Sequence, residues 1–215
     1  MTVHECAKAV VCAGMILVAL LRASAQQQTP IYLEGEFGVA AFTNASVRSV
    51  FPAGAVVRLG AALALADENR LRLRPQLGAT FFGNKIDESI TEQLLFVGGG
   101  IEVSYDAFYV KQITFFPYVS ASYRGVSNFD MESYDDTDAT YSESHLRGSG
   151  IAQEIGLRIQ LRDWYVKGGY QLFSPRLQAR KSIVEDDLSG GYVTPSTHRF
   201  HFDTVSLSVG FSIRP

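Results

Sequence analysis

Ten charged side chains sit at spaced positions in otherwise apolar segments: Glu34, Glu36, Arg58, Arg72, Arg74, Glu102, Arg124, Glu154, Arg158 and Lys167. Each has at least one neighbour in the chain with no formal charge and little polarity, and pairs such as Glu34/Glu36 and Arg72/Arg74 are two residues apart. On a strand that spacing puts both members of a pair on one face. Carboxylates and guanidinium groups brought together away from water are tolerable only when they neutralise one another. The chemistry on offer is therefore ion pairing, either as a plug of salt bridges or as a narrow, gated polar path for small solutes.

Other reactive groups are sparse. His145, His198 and His201 fall in or beside segments read as long loops, and His201 and Asp203 share a strand face at a spacing of two. They offer an acid/base pair, but a polar strand end is the simpler reading, because a general base is defined first by geometry. No catalytic residue is assigned. The acidic stretch holding Asp130, Glu132, Asp135, Asp136, Asp138 and Glu143 offers carboxylate oxygens to Ca²⁺ or Mg²⁺. It lacks the ligand spacing and closing glutamate of an EF-hand, so a solvated acidic loop is expected, with no metal and no cofactor.

The elements that must position the charges are eight segments with a two-residue apolar rhythm, a strong strand signal. They run from about Ile31 to Phe42, Gly54 to Ala66, Arg70 to Phe82, Thr91 to Tyr105, Lys111 to Val126, Gly148 to Leu161, Trp164 to Phe173 and Phe200 to Ile213. Val57, Leu59, Leu63 and Leu65 oppose Arg58 and Gly60. Ile155, Leu157, Ile159 and Leu161 oppose Glu154, Gly156, Arg158 and Gln160. The second, fourth and sixth connections are short, and the odd-numbered ones are long. Pro75 and Pro117 fall inside strands, where each removes a ladder donor, and bulges or tilted strand ends are expected there.

Two architectures share this pattern. A soluble up-and-down barrel would turn its apolar face inward, whereas a transmembrane barrel turns it to lipid and packs the charges within. Mixed charges on one face favour the second, as do the glycines beside them (Gly38, Gly60, Gly98, Gly100, Gly156, Gly169, Gly210) and the alternation of short turns with long loops. Aromatics near strand ends read as two interfacial girdles: Tyr105, Phe108, Tyr109, Trp164 and Tyr165 on one side, and Phe42, Phe81, Phe82, Tyr123 and Phe173 on the other. Eight strands leave an interior just wide enough for side chains, which favours the salt-bridged plug.

Residues 1–25 read as a cleavable signal peptide. Lys8 precedes an apolar run from Ala9 to Leu21, and Ala23-Ser24-Ala25 supplies the cleavage pattern. Cys6 and Cys12 both lie in that segment, so residues 26–215 form one domain without thiol chemistry. A formal net charge of −3 speaks against a nucleic-acid partner.

The strand pattern over Ile31 to Pro215, the run Phe116-Pro117-Tyr118-Val119 and the closing Val205-Ser206-Leu207-Ser208-Val209-Gly210-Phe211 resemble the eight-stranded outer-membrane proteins of the OmpA/OmpX-like superfamily, the broad porin-family group. That resemblance implies an all-β, antiparallel, up-and-down transmembrane barrel in the cell outer membrane of a Gram-negative envelope. The implied partners are outer-membrane lipid and lipopolysaccharide, the barrel assembly machinery, and an extracellular ligand at the long loops. Members usually end on an aromatic residue, whereas here Phe211 is followed by Ser212-Ile213-Arg214-Pro215. The role expected is structural or surface-interacting. The alternatives are a narrow conduit for small solutes and a lipid A-modifying enzyme.

Overall fold

The computed structural model describes residues 31–65, 70–85, 91–129, 131–135, 140–185, 191–192 and 196–214. The signal segment, the Asp67-Glu68-Asn69 connection and Asp130, Asp136 and Asp138 lie outside them.

The elements in chain order are β1 (Ile31–Phe42), α1 (Ala45–Val50), β2 (Gly54–Ala64), β3 (Leu71–Lys85), β4 (Thr91–Tyr105), β5 (Phe108–Val110), β6 (Ile113–Phe129), β7 (Met131–Asp135), β8 (Thr140–Leu161), β9 (Trp164–Phe173), β10 (Arg176–Glu185), β11 (Gly191–Tyr192), β12 (Ser196–Arg199) and β13 (Thr204–Ile213). Eight of them close a barrel in the order β1-β2-β3-β4-β6-β8-β9-β13, with β13 returning to β1 and every pairing antiparallel. The remaining strands extend the long-loop end, where β10 pairs with β8, and β7 with β8, except for β5, which forms a small hairpin with β6 at the short-turn end.

Register fixes the barrel's dimensions. From Ile31 the paired positions run through Leu63, Leu73, Val103, Val119, Ile155, Tyr170 and Val205 back to Ala41, ten residues further along β1. This shear sets the strand tilt that an eight-stranded closure requires and leaves an interior filled by side chains. The register is constant along each pair, so neither proline makes a bulge. Pro75 sits opposite Ile101 in the β3–β4 ladder, while the β2–β3 ladder is interrupted opposite it, between Gly60–Gln76 and Leu63–Leu73. Pro117 lies just past the last β4–β6 pair, Ser104–Tyr118, so its missing donor faces the end of that ladder. Two short turns begin on left-handed residues, Lys111 (φ 58°) and Arg162 (φ 55°).

The faces are unambiguous. Leu59 is 62% exposed, Ile155 62% and Leu207 58%, while Glu102 is 0% and Arg74 1%. The apolar face points outward all the way round and the charges point in, an arrangement that suits hydrocarbon around the barrel and would be costly in water. Among the described residues no helix is long and apolar enough to cross a membrane; the crossing elements are strands.

The aromatic girdles differ from expectation. Tyr105, Phe108, Tyr109 and Trp164 do face outward at the short-turn end, as do Phe81 and Tyr123 at the other. Phe42, Phe82 and Phe173 are fully buried, and Tyr165 is 2% exposed. The reason is strand phase: Phe42 shares parity with Glu34 and Glu36, Phe82 with Arg72 and Arg74, and Phe173 and Tyr165 with Lys167, so all four point into the lumen.

Candidate functional site: a two-layer luminal closure

The lower layer is an ion-pair network built on four carboxylates. Glu34 accepts a two-pronged contact from Arg158, with Nη1 and Nη2 each 2.8 Å from an oxygen, and a bond from Ser212 Oγ at 3.1 Å. Planar guanidinium and carboxylate groups match in this geometry, which makes it the strongest form of the pair. Arg74 Nε lies 3.0 Å from Glu34 Oε2, close enough for an ion pair but not aligned as a hydrogen bond. Glu36 is the hub. Arg58 Nη1 approaches at 3.0 Å, Arg74 Nη1 at 3.2 Å and Lys167 Nζ at 3.4 Å, and Ser208 Oγ donates at 2.7 Å. Glu102 receives Lys167 at 2.6 Å and Arg74 at 3.5 Å. Glu154 receives Arg58 at 3.0 Å and the Tyr118 hydroxyl at 2.6 Å.

Two of the ten predicted residues behave differently. Arg72 reaches no carboxylate within ion-pair distance among the described residues. Its Nη1 donates to Gln160 Oε1 at 3.3 Å, and its guanidinium lies 4.4 Å from the Phe116 ring centre. It sits one inward step nearer the short-turn mouth than Arg74 and is partly open to solvent. Arg124 donates to Gln171 Oε1 at 3.0 Å and Ser122 Oγ at 3.2 Å, both uncharged acceptors. The other eight converge.

Two tyrosines complete the network, neither of which the sequence placed among the luminal charges. The Tyr165 ring lies 3.7 Å under the Arg158 guanidinium, and its hydroxyl accepts from Arg74 Nη2 at 3.4 Å. Tyr118 covers the Lys167 ammonium, 4.3 Å from ring centre to nitrogen. Glycine makes room for these rings: a Cβ at Gly210 would strike the Tyr165 ring, and one at Gly169 would strike the Tyr118 hydroxyl and the Glu154 carboxylate. The useful signal was parity, since Tyr118 and Tyr165 alternate in phase with Arg124 and Lys167.

The upper layer is apolar. Phe42, Phe82, Phe96, Phe173 and Phe202 pack with Ala40, Val56, Leu94, Val126, Ala152 and Leu177. Phe42 stacks on Phe82 at 4.2 Å, and Phe96 meets Phe173 and Phe202 at 5.4 Å each. The short helix α1 closes over this layer. Asn44 caps it by accepting from Ser46 N–H at 2.9 Å, and Val47 and Phe51 pack against the cluster. Residues that normally fill a protein core thus form a stopper at the long-loop end of the lumen.

Among the described side chains, His201 and Asp203 do not form an acid/base pair. His201 lies ahead of β13, exposed, with Nδ1 2.9 Å from Ser174 Oγ. Asp203 is engaged elsewhere: its Oδ1 accepts from Phe173 N–H at 2.9 Å, and its carbonyl accepts from Thr43 N–H at 2.9 Å. It ties strand ends together rather than orienting the imidazole. His145 and His198 occupy separate strands, opposite Arg180 and Leu177 respectively. Of the acidic stretch, Glu132, Asp135 and Glu143 lie on β7 and β8, with Glu132 in register with Glu143.

No protein-family model and no curated protein sequence matches the chain. Solved structures do. A major outer membrane protein from Thermus thermophilus aligns with a TM-score of 0.55 at 12% identity, over 85% of this chain and 99% of that one. The outer membrane protein OprG from Pseudomonas aeruginosa aligns at 0.51 and 12% identity, over 87% and 97% respectively. At such identities the likeness concerns the fold. With the outward apolar face and the closed register, it makes this chain an eight-stranded antiparallel transmembrane β-barrel, the fold shared with those two proteins.

Proposed function

We propose that the protein resides in the outer membrane as a closed, non-enzymatic barrel with a structural and surface-interaction role, its specificity carried by the long-loop end. The observation that carries this reading is the double closure. A layer of paired charges fills the lumen and a phenylalanine stopper lies above it, so a solute would have to break ion pairs and unpack a core to cross. At the same end β6 and β8 continue beyond the barrel and recruit β7, β10, β11 and β12, which supports a built surface for an extracellular ligand. Outer-membrane lipid and lipopolysaccharide surround the band, and the assembly machinery delivers the chain to it.

The test is reconstitution. The purified protein is expected to shift on a gel when heated, the mark of a stable barrel, and to give no conductance steps in planar bilayers. Steady unitary currents from the wild-type protein would overturn the reading in favour of a conduit. A change in lipid A mass that depends on His201 would overturn it in favour of an enzyme.

A further inference from the structure

Among the described residues, six cations point into the lumen (Arg58, Arg72, Arg74, Arg124, Arg158 and Lys167) against four carboxylates (Glu34, Glu36, Glu102 and Glu154). The two cations in excess are those without a carboxylate. Arg72 is partly exposed at the short-turn mouth, where water solvates it. Arg124 is not: it is 9% exposed, and among the described residues only the neutral Gln171 and Ser122 oxygens bond it. The carboxylate that comes closest to compensating it, Glu154, is already held by Arg58 at 3.0 Å and by Tyr118 at 2.6 Å. Arg58, moreover, is a like charge. A buried charge is stable when paired or when it holds an ion, and Arg124 has no carboxylate within ion-pair distance among the described residues and little exposure to solvent.

Its surroundings suit a small anion. Arg124 lies one inward step below Val126, and Gln171 one step below Phe173, so the pair sits directly under the phenylalanine layer. Thr204 is the register partner of Gln171 and is itself 5% exposed, and Thr80 lies one inward step below Phe82 at 4%. The Arg124 guanidinium and the carboxamide N–H of Gln171 are donors, and both lie beneath an apolar roof. We infer that Arg124 holds a small inorganic anion, chloride in a chloride medium, inside the lumen between the ion-pair layer and the phenylalanine layer.

The experiment refolds the full barrel in sodium chloride and, at matched ionic strength, in sodium gluconate, whose anion is a much larger organic carboxylate. The urea midpoint is expected to be higher in chloride and to rise saturably with chloride at constant ionic strength. Arg124→Gln should abolish that response, and Arg124→Lys should retain part of it. Crystals grown in bromide should show an anomalous peak within hydrogen-bonding distance of the Arg124 guanidinium. Equal wild-type midpoints in the two salts, an unchanged chloride response in Arg124→Gln, or bromide absent from Arg124 would each overturn the assignment. Should Arg124→Gln fail to refold, the bromide position and the Arg124→Lys titration decide it.

Discussion

Glu36→Ala is the most demanding test of the luminal network. The carboxylate touches three cations and a serine hydroxyl, at 3.0, 3.2, 3.4 and 2.7 Å. Its removal strands none of the cations completely. Arg58 keeps Glu154, Arg74 keeps Glu34 and Glu102, and Lys167 keeps Glu102. Breaking a buried pair by deleting one partner costs about 3–5 kcal/mol. Because every cation retains a carboxylate, the expected loss is near the lower end, about 3 kcal/mol. The luminal charge also becomes more positive by one. The assay is urea unfolding of the refolded barrel followed through Trp164, the only tryptophan in the chain, which is 62% exposed at the short-turn rim and so reports its lipid surroundings. Glu36→Gln keeps the shape and one acceptor and should lose less. A change in unfolding free energy below about 0.5 kcal/mol, the range of an ordinary surface substitution, would refute the idea that these contacts hold the barrel together.

Three further outcomes follow from other parts of the molecule. Phe96→Ala removes the ring that meets Phe42, Phe82, Phe173 and Phe202; it should cost about 3–5 kcal/mol as a core cavity, read by the same urea titration, while leaving the heat-shift of the barrel detectable. Gln153 is exposed on the outward face between Ile151 and Ile155, in register with Ala121 and Leu172; Gln153→Leu should stabilise the barrel in lipid vesicles by roughly 1–3 kcal/mol, because the amide is then no longer set against hydrocarbon. Gly210→Ala places a Cβ against the Tyr165 ring, and should lower stability by about 1–3 kcal/mol through overpacking, with Tyr165→Leu partly rescuing it in the double variant.

The strand faces were legible because hydrophobicity and charge alternate with the same phase on every strand. Glu34, Arg58, Glu102, Glu154 and Lys167 all share that phase, which assigns them to one interior from the sequence. What escaped was the apolar half of that interior. Phe42, Phe82 and Phe173 lie near strand ends, where aromatics also serve as interfacial anchors, and residue type was weighed above parity. Parity was right: each continues the charged face of its own strand. Partner choice inside the lumen was not legible either. That Arg158 grips Glu34 while Arg72 reaches no carboxylate among the described residues depends on shear and tilt, which bring residues from strands distant in sequence to one height. The outer extensions β7, β11 and β12 are short and polar, and β10 alternates only over Arg176 to Arg180, too briefly to stand out as a strand.

The circuit that begins at Ile31 and comes home ten positions later has a consequence for how the chain reaches its final state. Slipping a charge-bearing strand by a single position would swing its charged side chains into the acyl layer and its apolar ones among the remaining charges. Neighbours cannot compensate, because contacts such as Arg158 with Glu34 and Arg58 with Glu154 join strands that are not adjacent. Partial insertions in the wrong phase are therefore penalised from both sides of the wall, so the membrane itself acts as a proofreader that accepts only one alignment of all eight staves.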